Sequence, residues 1–500
     1  MRRTVPKSIC LITPPSIFLL DERVFMSLGI LKVAAVLRAM GSRIEMLDLS
    51  GVDNFLEVVR DHAKNSICDI FGITATTPLM PAVAEILRVI KEVKPGAKVI
   101  LGGPHITLVN AAYKKEVKIG IVGRAVKAMR QAEAMFDVLV AGDGEEAILY
   151  ACDPDASKLV DADDPRSPLF LSNSMLTGLP FPARDLVDVS SYHYSIDGVS
   201  ALSLIAQLGC PFGCGFCGGR ESPMLRKIRM RTSQNIVDEM ISLYKTYGVK
   251  GFMMYDDELN VNPKIIELMN LIAKAQRDLG VEWRLRGFIK SQLFTDAQAK
   301  AMYEAGFRWI LVGFESGSSR ILTNINKQAT REENTRCMEI AKRHGLKVKA
   351  LMSIGHPGES LETIKDTADW LLEVKPADFD VTIITCYAGT PYYDEAVPDP
   401  SRPGVYIYTY KRTGDRLFQI EVDYNLVADY YKGDPDGGYN AYVFTDTLSP
   451  EDLVLERDRV EKMVRAVLNI PFNPGSPAIR YEHSMGQMGG IPSNILRVSK

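Results

Sequence analysis

The stretch ALSLIAQLGCPFGCGFCGG, from Ala201 to Gly219, is the most informative in the chain. An apolar run of strand type passes straight into a glycine-rich loop that holds Cys210, Cys214 and Cys217 in the spacing C-x3-C-x2-C. Three thiolates on one tight loop cannot close a tetrahedral zinc site without a fourth ligand, and no second cysteine pair or nearby histidine supplies one. Three cysteines can hold three irons of a [4Fe–4S] cluster, leaving the fourth iron open to a small chelating ligand. The interleaved glycines let backbone wrap such a cluster and donate N–H groups to its sulfurs. A zinc centre and three packed core thiols are the alternatives. Core residues, however, do not gather in a glycine-rich loop at the carboxyl end of a strand.

Outward from this loop, strands and helices alternate to about residue 395. Strands are expected at Ala201–Gln207, Gly251–Tyr255, Glu282–Arg286, Trp309–Phe314, Lys347–Ser353 and Asp380–Thr385. Helices are expected at Thr232–Tyr247, Pro263–Leu279, Thr295–Ala305, Arg331–His344 and Ser360–Val374. Six β-α units are too few to close an eight-fold barrel, so a partial barrel is expected over 201–395. Its active site should lie at the carboxyl ends of the strands.

A cysteine triad after the first strand of a partial (βα)6 barrel resembles the radical S-adenosylmethionine superfamily. The resemblance implies that Cys210, Cys214 and Cys217 ligate the cluster and carry the catalysis, and that S-adenosylmethionine chelates the open iron. It also implies cleavage of the sulfonium to a 5'-deoxyadenosyl radical, and an electron donor of reductase or flavodoxin type. Further residues follow by the same resemblance. Asp256, Asp257 and Glu258 follow the second strand, where the family often has Gly-Gly-Glu to receive the cofactor's ammonium group. Acids replace the glycines here, which leaves open which carboxylate serves; a solvated acidic turn is the other reading. Glu315 and Ser316 match the ribose and carboxylate contacts, and Phe216 the aromatic residue near adenine. Arg286, at the end of the third strand, could pair with a carboxylate or form a structural ion pair. Ser353 and Gly355 in SIGHPG, and Tyr387 in YAGTP, resemble loops closing over adenine; His356 reads as structural.

Residues 1–150 show an earlier alternation. Strands are expected at Ser8–Thr13, Arg43–Leu47, Asp69–Thr74, Lys98–Leu101 and Asp137–Ala141, with helices at Gly29–Met40, Asn54–Lys64, Pro81–Val93 and Val122–Glu133. This is an α/β pattern of the doubly wound, Rossmann-like kind, with ligands at the carboxyl ends of a parallel sheet. LITPP, LGGPHIT and AGDGEE are similar to the cobalamin-binding domain found ahead of many radical S-adenosylmethionine barrels. That likeness places Pro14, Thr74, Thr76, Gly102, Gly103 and His105 around cobalamin, the glycines because backbone must approach the ligand closely. The D-x-H-x-x-G motif that supplies a lower axial histidine in methionine synthase-like proteins is absent; the first loop offers Asp21 and Gly29 but no histidine. A flavodoxin-like domain without cobalamin is the alternative. Methylthiotransferases of the superfamily carry three cysteines for an auxiliary cluster in their first domain, whereas here that region holds Cys10 and Cys68, with Cys152 at its edge.

Residues 151–200 are rich in Asp, Pro and Ser and read as a linker. From 396 to 500 the rhythm stops, and a small α+β domain that caps the barrel and contacts substrate is expected. Its tyrosines at 406, 408, 410, 424, 430, 431, 439 and 442 would line a pocket or pack a β subdomain. Its helix would run from Pro450 to Leu468, opened by Ser449 with Asp452 three residues on.

The whole chain of 500 residues carries 59 Lys+Arg against 62 Asp+Glu, so no global basic field favours nucleic acid. No apolar run approaches the length of a membrane span. The start, MRRTVPKSICLITPPSIFLL, reads as a first strand rather than a signal peptide, because Pro14-Pro15 breaks the run and no small-residue cleavage site follows. Reduced, clustered thiols suit a cytoplasmic protein. Cys337 is expected to be inert, and Cys386 lies near the expected active-site mouth. A monomeric enzyme acting on a small-molecule or natural-product substrate is expected. The combined resemblance implies a cobalamin-dependent methyltransferase working on an unactivated carbon through methylcobalamin. A cobalamin-associated cyclase or rearranging enzyme, and a non-catalytic sensor, are the other readings.

Overall fold

Apolar strands alternating with amphipathic helices build two parallel sheets in series. The computed structural model describes residues 2–16, 22–218, 221–430 and 440–471. Asp21, Gly219, Tyr431 and Tyr439, singled out above, lie outside the described residues.

The first unit runs β1 (Ser8–Thr13), α1 (Leu28–Ala39), β2 (Arg43–Asp48), α2 (Phe55–Asn65), β3 (Ile70–Thr74), α3 (Met80–Val93), β4 (Lys98–Gly102), α4 (Pro104–Lys118), α5 (Arg124–Met135), β5 (Val138–Gly142), α6 (Gly144–Ala151) and β6 (Leu159–Ala162). All pairs are parallel and the order is β2-β1-β3-β4-β5-β6. The chain reverses direction across the sheet between β1 and β3, which opens a crevice at the carboxyl ends there. Side-chain alternation divides the core: Ile9 and Leu11 pack with α1 and α6, whereas Cys10 and Ile12 pack with α2 and α3. Two features differ from the sequence expectation. Helix α4 carries no apolar–polar periodicity because His105–Ala112 are all buried, so the stripe that marks a surface helix is missing. The segment read as a linker begins inside the sheet, since Leu159–Ala162 adds a short sixth strand at its edge.

The second unit follows α7 (Asn173–Gly178). It runs β7 (Ser195–Ile196), β8 (Val199–Leu204), β9 (Gln207–Leu208), α8 (Pro223–Arg226), β10 (Arg229–Met230), α9 (Ser233–Tyr247), β11 (Gly251–Met254), α10 (Ile265–Leu279), β12 (Arg284–Phe288), α11 (Asp296–Glu304), β13 (Phe307–Glu315), α12 (Ser319–Asn324), α13 (Arg331–Arg343), β14 (Lys347–Ile354), α14 (Leu361–Val374) and β15 (Asp378–Ile383). The sheet order β15-β14-β13-β12-β11-β8-β7 contains six parallel strands and an antiparallel edge, and its two ends do not pair. It is a partial (βα)6 barrel. Capping boxes at Thr295, Thr330 and Ser360 fix where α11, α13 and α14 begin, each contributing about 1 kcal/mol. Residues facing inward include Ala201, Met253, Trp309 and Leu311, which close the floor against Tyr194 and Ile196.

The last elements are α15 (Pro391–Asp394), β16 (Val397–Pro398), β17 (Val405–Thr409), β18 (Arg416–Ile420), β19 (Val443–Phe444) and α16 (Pro450–Leu468). The four strands form an antiparallel sheet. Helix α16 begins at a capping box on Ser449 and docks on the barrel edge, where buried Arg465 meets Asp378 at 3.1 Å and Arg457 Nε donates to the Val381 carbonyl. The tyrosines bind this sheet to the barrel: Tyr408 packs on Tyr392 with centroids 4.8 Å apart, and Tyr424 donates to the Cys386 carbonyl at 2.6 Å. Among the described residues no helix is long and apolar enough to cross a membrane.

Candidate active site

The cysteine loop leaves the barrel after β9 and is clamped from two sides. Gly215 N–H donates to the Ile325 carbonyl at 2.8 Å, and Asn326 Nδ2 donates to the Gly213 carbonyl at 3.0 Å. Tyr392 N–H donates to the Gly215 carbonyl at 3.1 Å, and a Cβ on Gly215 would run into the Tyr392 ring. Only glycine permits that approach. Cys214 is buried, Cys210 half-buried and Cys217 exposed, so the triad faces an opening. Three thiolates on one short loop offer one fewer donor than a closed tetrahedral zinc site needs, and suit a multi-iron cluster with one open iron. Burial pushes the Cys210 thiol up to about 11, and the carboxylates of Glu258 and Asp257 add to the rise.

Two lysines offset this acidity. Lys290 and Lys327 are buried, at 2% and 4% exposure, and both lie in the electrostatic neighbourhood of Cys214 and Glu258. Lys290 Nζ donates to the Lys327 carbonyl at 3.1 Å, and Lys327 Nζ meets Glu315 Oε1 at 2.9 Å. Glu315 Oε2 accepts from Ser353 Oγ at 2.8 Å, and Ser353 Oγ lies 2.8 Å from His356 Nε2. The chain of contacts ends at Tyr392, whose hydroxyl lies 3.4 Å from His356 Nδ1. Glu315 adopts a left-handed conformation, φ 68°, where the β13–β14 register slips. A bulge of this kind re-aims a strand-end side chain. Burial acts to raise its carboxyl, but Lys327 and then Ser353 hold it below the ordinary range. Burial holds His356 neutral, with its pKa down at about 3. Its ring meets Phe216 edge-on at 5.2 Å.

The acidic trio divides its work. Asp256 serves structure through Oδ1, which accepts from Ala206 N–H at 2.9 Å and from Gln207 N–H and fixes the approach to the cysteine loop. Asp257 accepts from Gly209 N–H at 3.1 Å. Glu258 Oε2 is buried and has no partner among the described residues, and burial raises its carboxyl to about 7. Asp256 Oδ2 is likewise buried without a partner among the described residues, but it is Glu258 whose charge bears on Cys210.

Three other expected positions sit elsewhere. Arg286 is four residues before Lys290, about 13 Å deeper at 3.3 Å per residue; its Nη1 lies 3.3 Å from the Tyr194 hydroxyl at the barrel floor. β12 runs two residues beyond the expected end, so Lys290 takes the mouth position on the same inward face. Ser316 spends its hydroxyl on Thr367, at 3.1 Å, and on Ser318 N–H. Tyr387 joins the rings of Tyr424 and Tyr430, and Tyr392 is the tyrosine that reaches the cysteine loop. Gly355 N–H donates to Glu359 Oε2 at 3.2 Å, so the SIGHPG turn is held by a buried carboxylate the sequence did not single out. Lys290 was within reach of period-two reasoning along its strand. Lys327 follows a helix, and no local pattern marks it.

In the first unit, a slot of about 250 Å³ opens at the carboxyl ends of β3, β4 and β5, lined by Gly72, Thr74, Gly102 and Gly142. Gly103 has φ 99°, and a Cβ there would stand 2.7 Å from Thr74 Oγ1 and 2.9 Å from Ala75 N. Thr107 Oγ1 ties the tips of β4 and β5, donating to the Gly103 carbonyl and accepting from Gly142 N–H, both at 2.9 Å. Leu208, Met224 and Leu225 from the barrel complete the slot. Pro14 is buried at the end of β1, and Thr76 is exposed at the rim. His105 faces a second cavity of about 270 Å³, shared with Arg124, Cys386, Tyr393 and Tyr424. It is buried and neutral, its pKa pushed down to about 4, with Nδ1 3.1 Å from Thr77 Oγ1. Cys386 is also buried, and desolvation raises its thiol to about 12. Leu108 of α4 packs where side chains on Gly218 and Gly389 would be. The first unit thus sits directly on the cysteine loop.

The radical SAM superfamily model matches residues 204–371, and the B12 binding domain model matches residues 22–133. Residues 204–371 are a radical SAM domain and residues 22–133 a B12-binding domain. The chain joins the one to the other, as the sequence motifs led us to expect. An uncharacterized methyltransferase of Pyrococcus horikoshii is 29% identical over 332 residues, 66% of this chain and 69% of the relative. The anaerobic magnesium-protoporphyrin IX monomethyl ester cyclase of Rubrivivax gelatinosus is 24% identical over 477 residues, 90% of this chain and 76% of the relative. The radical S-adenosylmethionine methyltransferase TsrM from Kitasatospora setae, solved with cobalamin and a [4Fe-4S] cluster, superposes with a TM-score of 0.65 at 16% identity, covering 91% of both chains. That likeness is one of fold.

Proposed function

We propose that this enzyme is a cobalamin-dependent radical SAM methyltransferase acting on carbon in a small-molecule substrate. The observation that carries the proposal is a shared segment: Leu208 lines the slot of the first unit, and Cys210, two residues on, begins the triad. A group seated in the slot and a cluster on the triad must then face one another across a few residues. When bound, the cluster with S-adenosylmethionine supplies hydrogen-atom abstraction, and cobalamin supplies the methyl group.

The chain's own residues hold and shield. Cys210, Cys214 and Cys217 fit a cluster with one open iron, and the vacant Glu258 Oε2 fits an ammonium group. Glu315, fixed by Lys327 and Ser353, presents a carboxylate edge suited to ribose hydroxyls, and Phe216 offers an apolar face. The glycine-walled slot, with Leu11, Ile30 and Val140 on its faces, would hold the planar base of cobalamin's nucleotide tail. The neighbouring cavity of about 270 Å³ supplies a route for substrate between the two units and the last sheet. We assign residues 1–150 to cobalamin, 201–395 to the radical SAM barrel and 396–500 to substrate capping, with 151–200 connecting the first two.

Anaerobic incubation of the reconstituted protein with cobalamin, S-adenosylmethionine, a reductant and candidate substrates tests the reading. Deoxyadenosine, S-adenosylhomocysteine and a product heavier by one methylene are expected together. Deoxyadenosine without S-adenosylhomocysteine or methylene gain would instead identify a cyclase or rearranging enzyme, the reading that the relative covering 90% of this chain favours.

A further inference from the structure

A second cluster of metal-binding side chains stands apart from the active site, on the opposite face of the first sheet from the slot. Cys10 on β1, Glu45 on β2 and His62 on α2 bring a sulfur, a carboxylate oxygen and an imidazole nitrogen within 4.8 Å of one another. His62 Nε2 lies 3.4 Å from Cys10 Sγ and 3.1 Å from Glu45 Oε2. Tetrahedral zinc, with bonds of about 2.3 Å to sulfur and about 2.0–2.2 Å to nitrogen and oxygen, sets sulfur–nitrogen and nitrogen–oxygen donor pairs about 3.6 and 3.4 Å apart. The observed separations differ from these by a few tenths of an ångström. Cys68, fully buried just before β3, lies in the electrostatic neighbourhood of Glu45 and Cys10. Three donors are thus in place, and Cys68, turned toward the ion, would complete four.

We propose that Cys10, Glu45, His62 and Cys68 form a structural site for one zinc ion that ties β1, β2, α2 and the turn before β3 together. Two thiolates, an imidazole and a carboxylate are the donor set a borderline-soft, tetrahedral ion prefers. With Cys68 drawn in as the fourth donor no position stays open, so the role is in folding and not in chemistry. Ser66 Oγ donates to Glu45 Oε2 at 2.5 Å, and Lys94 Nζ donates to the Cys68 carbonyl at 2.6 Å; these outer contacts hold two of the ligating residues in place. Binding releases the two thiol protons, so affinity rises with pH.

The site is tested on the full chain with zinc and cobalt(II), both in the wild type and in a Cys210→Ala/Cys214→Ala/Cys217→Ala background, which removes the other cysteine cluster. One zinc per chain is expected in the triple variant. Cobalt in its place is expected to give thiolate-to-metal charge-transfer absorption and the intense visible bands of tetrahedral geometry. Cys10→Ser and Cys68→Ser should each weaken the charge-transfer band. His62→Gln, at a half-exposed position that tolerates substitution, should lower zinc affinity by more than the roughly 10–100-fold that loss of an outer partner costs. Circular dichroism without metal establishes that each variant folds. Zinc that disappears with the triad, or binds the His62→Gln variant as tightly as its parent, overturns the proposal.

Discussion

Replacing Lys327 by Met should be the most damaging single change near the cysteine loop that touches no cysteine. Lys327 is 4% exposed and its ammonium meets Glu315 at 2.9 Å. Removing one partner of a buried pair leaves the other charge without compensation, at a cost of about 3–5 kcal/mol. That is a large share of the roughly 5–15 kcal/mol that holds a typical domain together. Replacing both, as Lys327→Met with Glu315→Gln, leaves no orphaned charge and should cost less than the single change. The pH range follows from the two shifts. Burial opposes charge on both groups, but their mutual attraction dominates, depressing Glu315 and raising Lys327. The Glu315 contribution is present above the ordinary carboxylate value of about 4.3 and lost as pH falls through its lower folded value. The Lys327 contribution is present below about 10.4 and lost only in stronger base. Between about pH 5 and 10 neither group of the pair changes charge, and the pH dependence that remains comes from Glu258, which Lys327 helps to ionise near pH 7. Urea unfolding of the metal-free chain, followed by circular dichroism at pH 7, measures it. A single variant within about 1 kcal/mol of wild type, or a double variant less stable than the single, would refute the reasoning.

Three further outcomes are expected. Glu258→Gln should weaken S-adenosylmethionine binding to the cluster-loaded protein by about 10–100-fold, the worth of one charge-assisted hydrogen bond, while leaving the fold unchanged; equal affinity in equilibrium dialysis would exclude Glu258 as the ammonium partner. Gly103→Ala should destabilise the first unit by about 1–3 kcal/mol, because φ 99° and a Cβ 2.7 Å from Thr74 Oγ1 cannot both be accommodated, and the purified protein should lose cobalamin absorbance; wild-type retention of the corrinoid would count against the slot. His356, neutral in the fold down to about pH 3, contributes stability that is full above about 6.5 and lost at about 1.4 kcal/mol per unit as pH falls below it. His356→Gln should remove that slope, and parallel stability curves for variant and wild type from pH 6.5 to 4.5 would show that the histidine does not titrate as described.

The loop carrying Cys210, Cys214 and Cys217 was legible because a strand followed by a glycine-rich C-x3-C-x2-C run is a local pattern. The barrel's strands were legible for the same reason, each being a short apolar run between amphipathic helices. Helix α4 was not, since burial all round erases the periodicity that announces a helix. Arg286 and Lys290 show how a two-residue error at a strand end changes a side chain's depth without changing its face.

Local sequence alone settled the two α/β units and placed the cysteine loop and the glycine-rich turns after their strands, because each depends on neighbours within a few residues. It could not assign Lys327 to Glu315, Tyr392 to Gly215, or Leu208 to a slot in the preceding unit. Nor could it bring Cys10, Glu45, His62 and Cys68 together from separate elements. Those pairings depend on how strands register and how one unit seats on the other. Long-range packing sets that geometry, and no single segment encodes it.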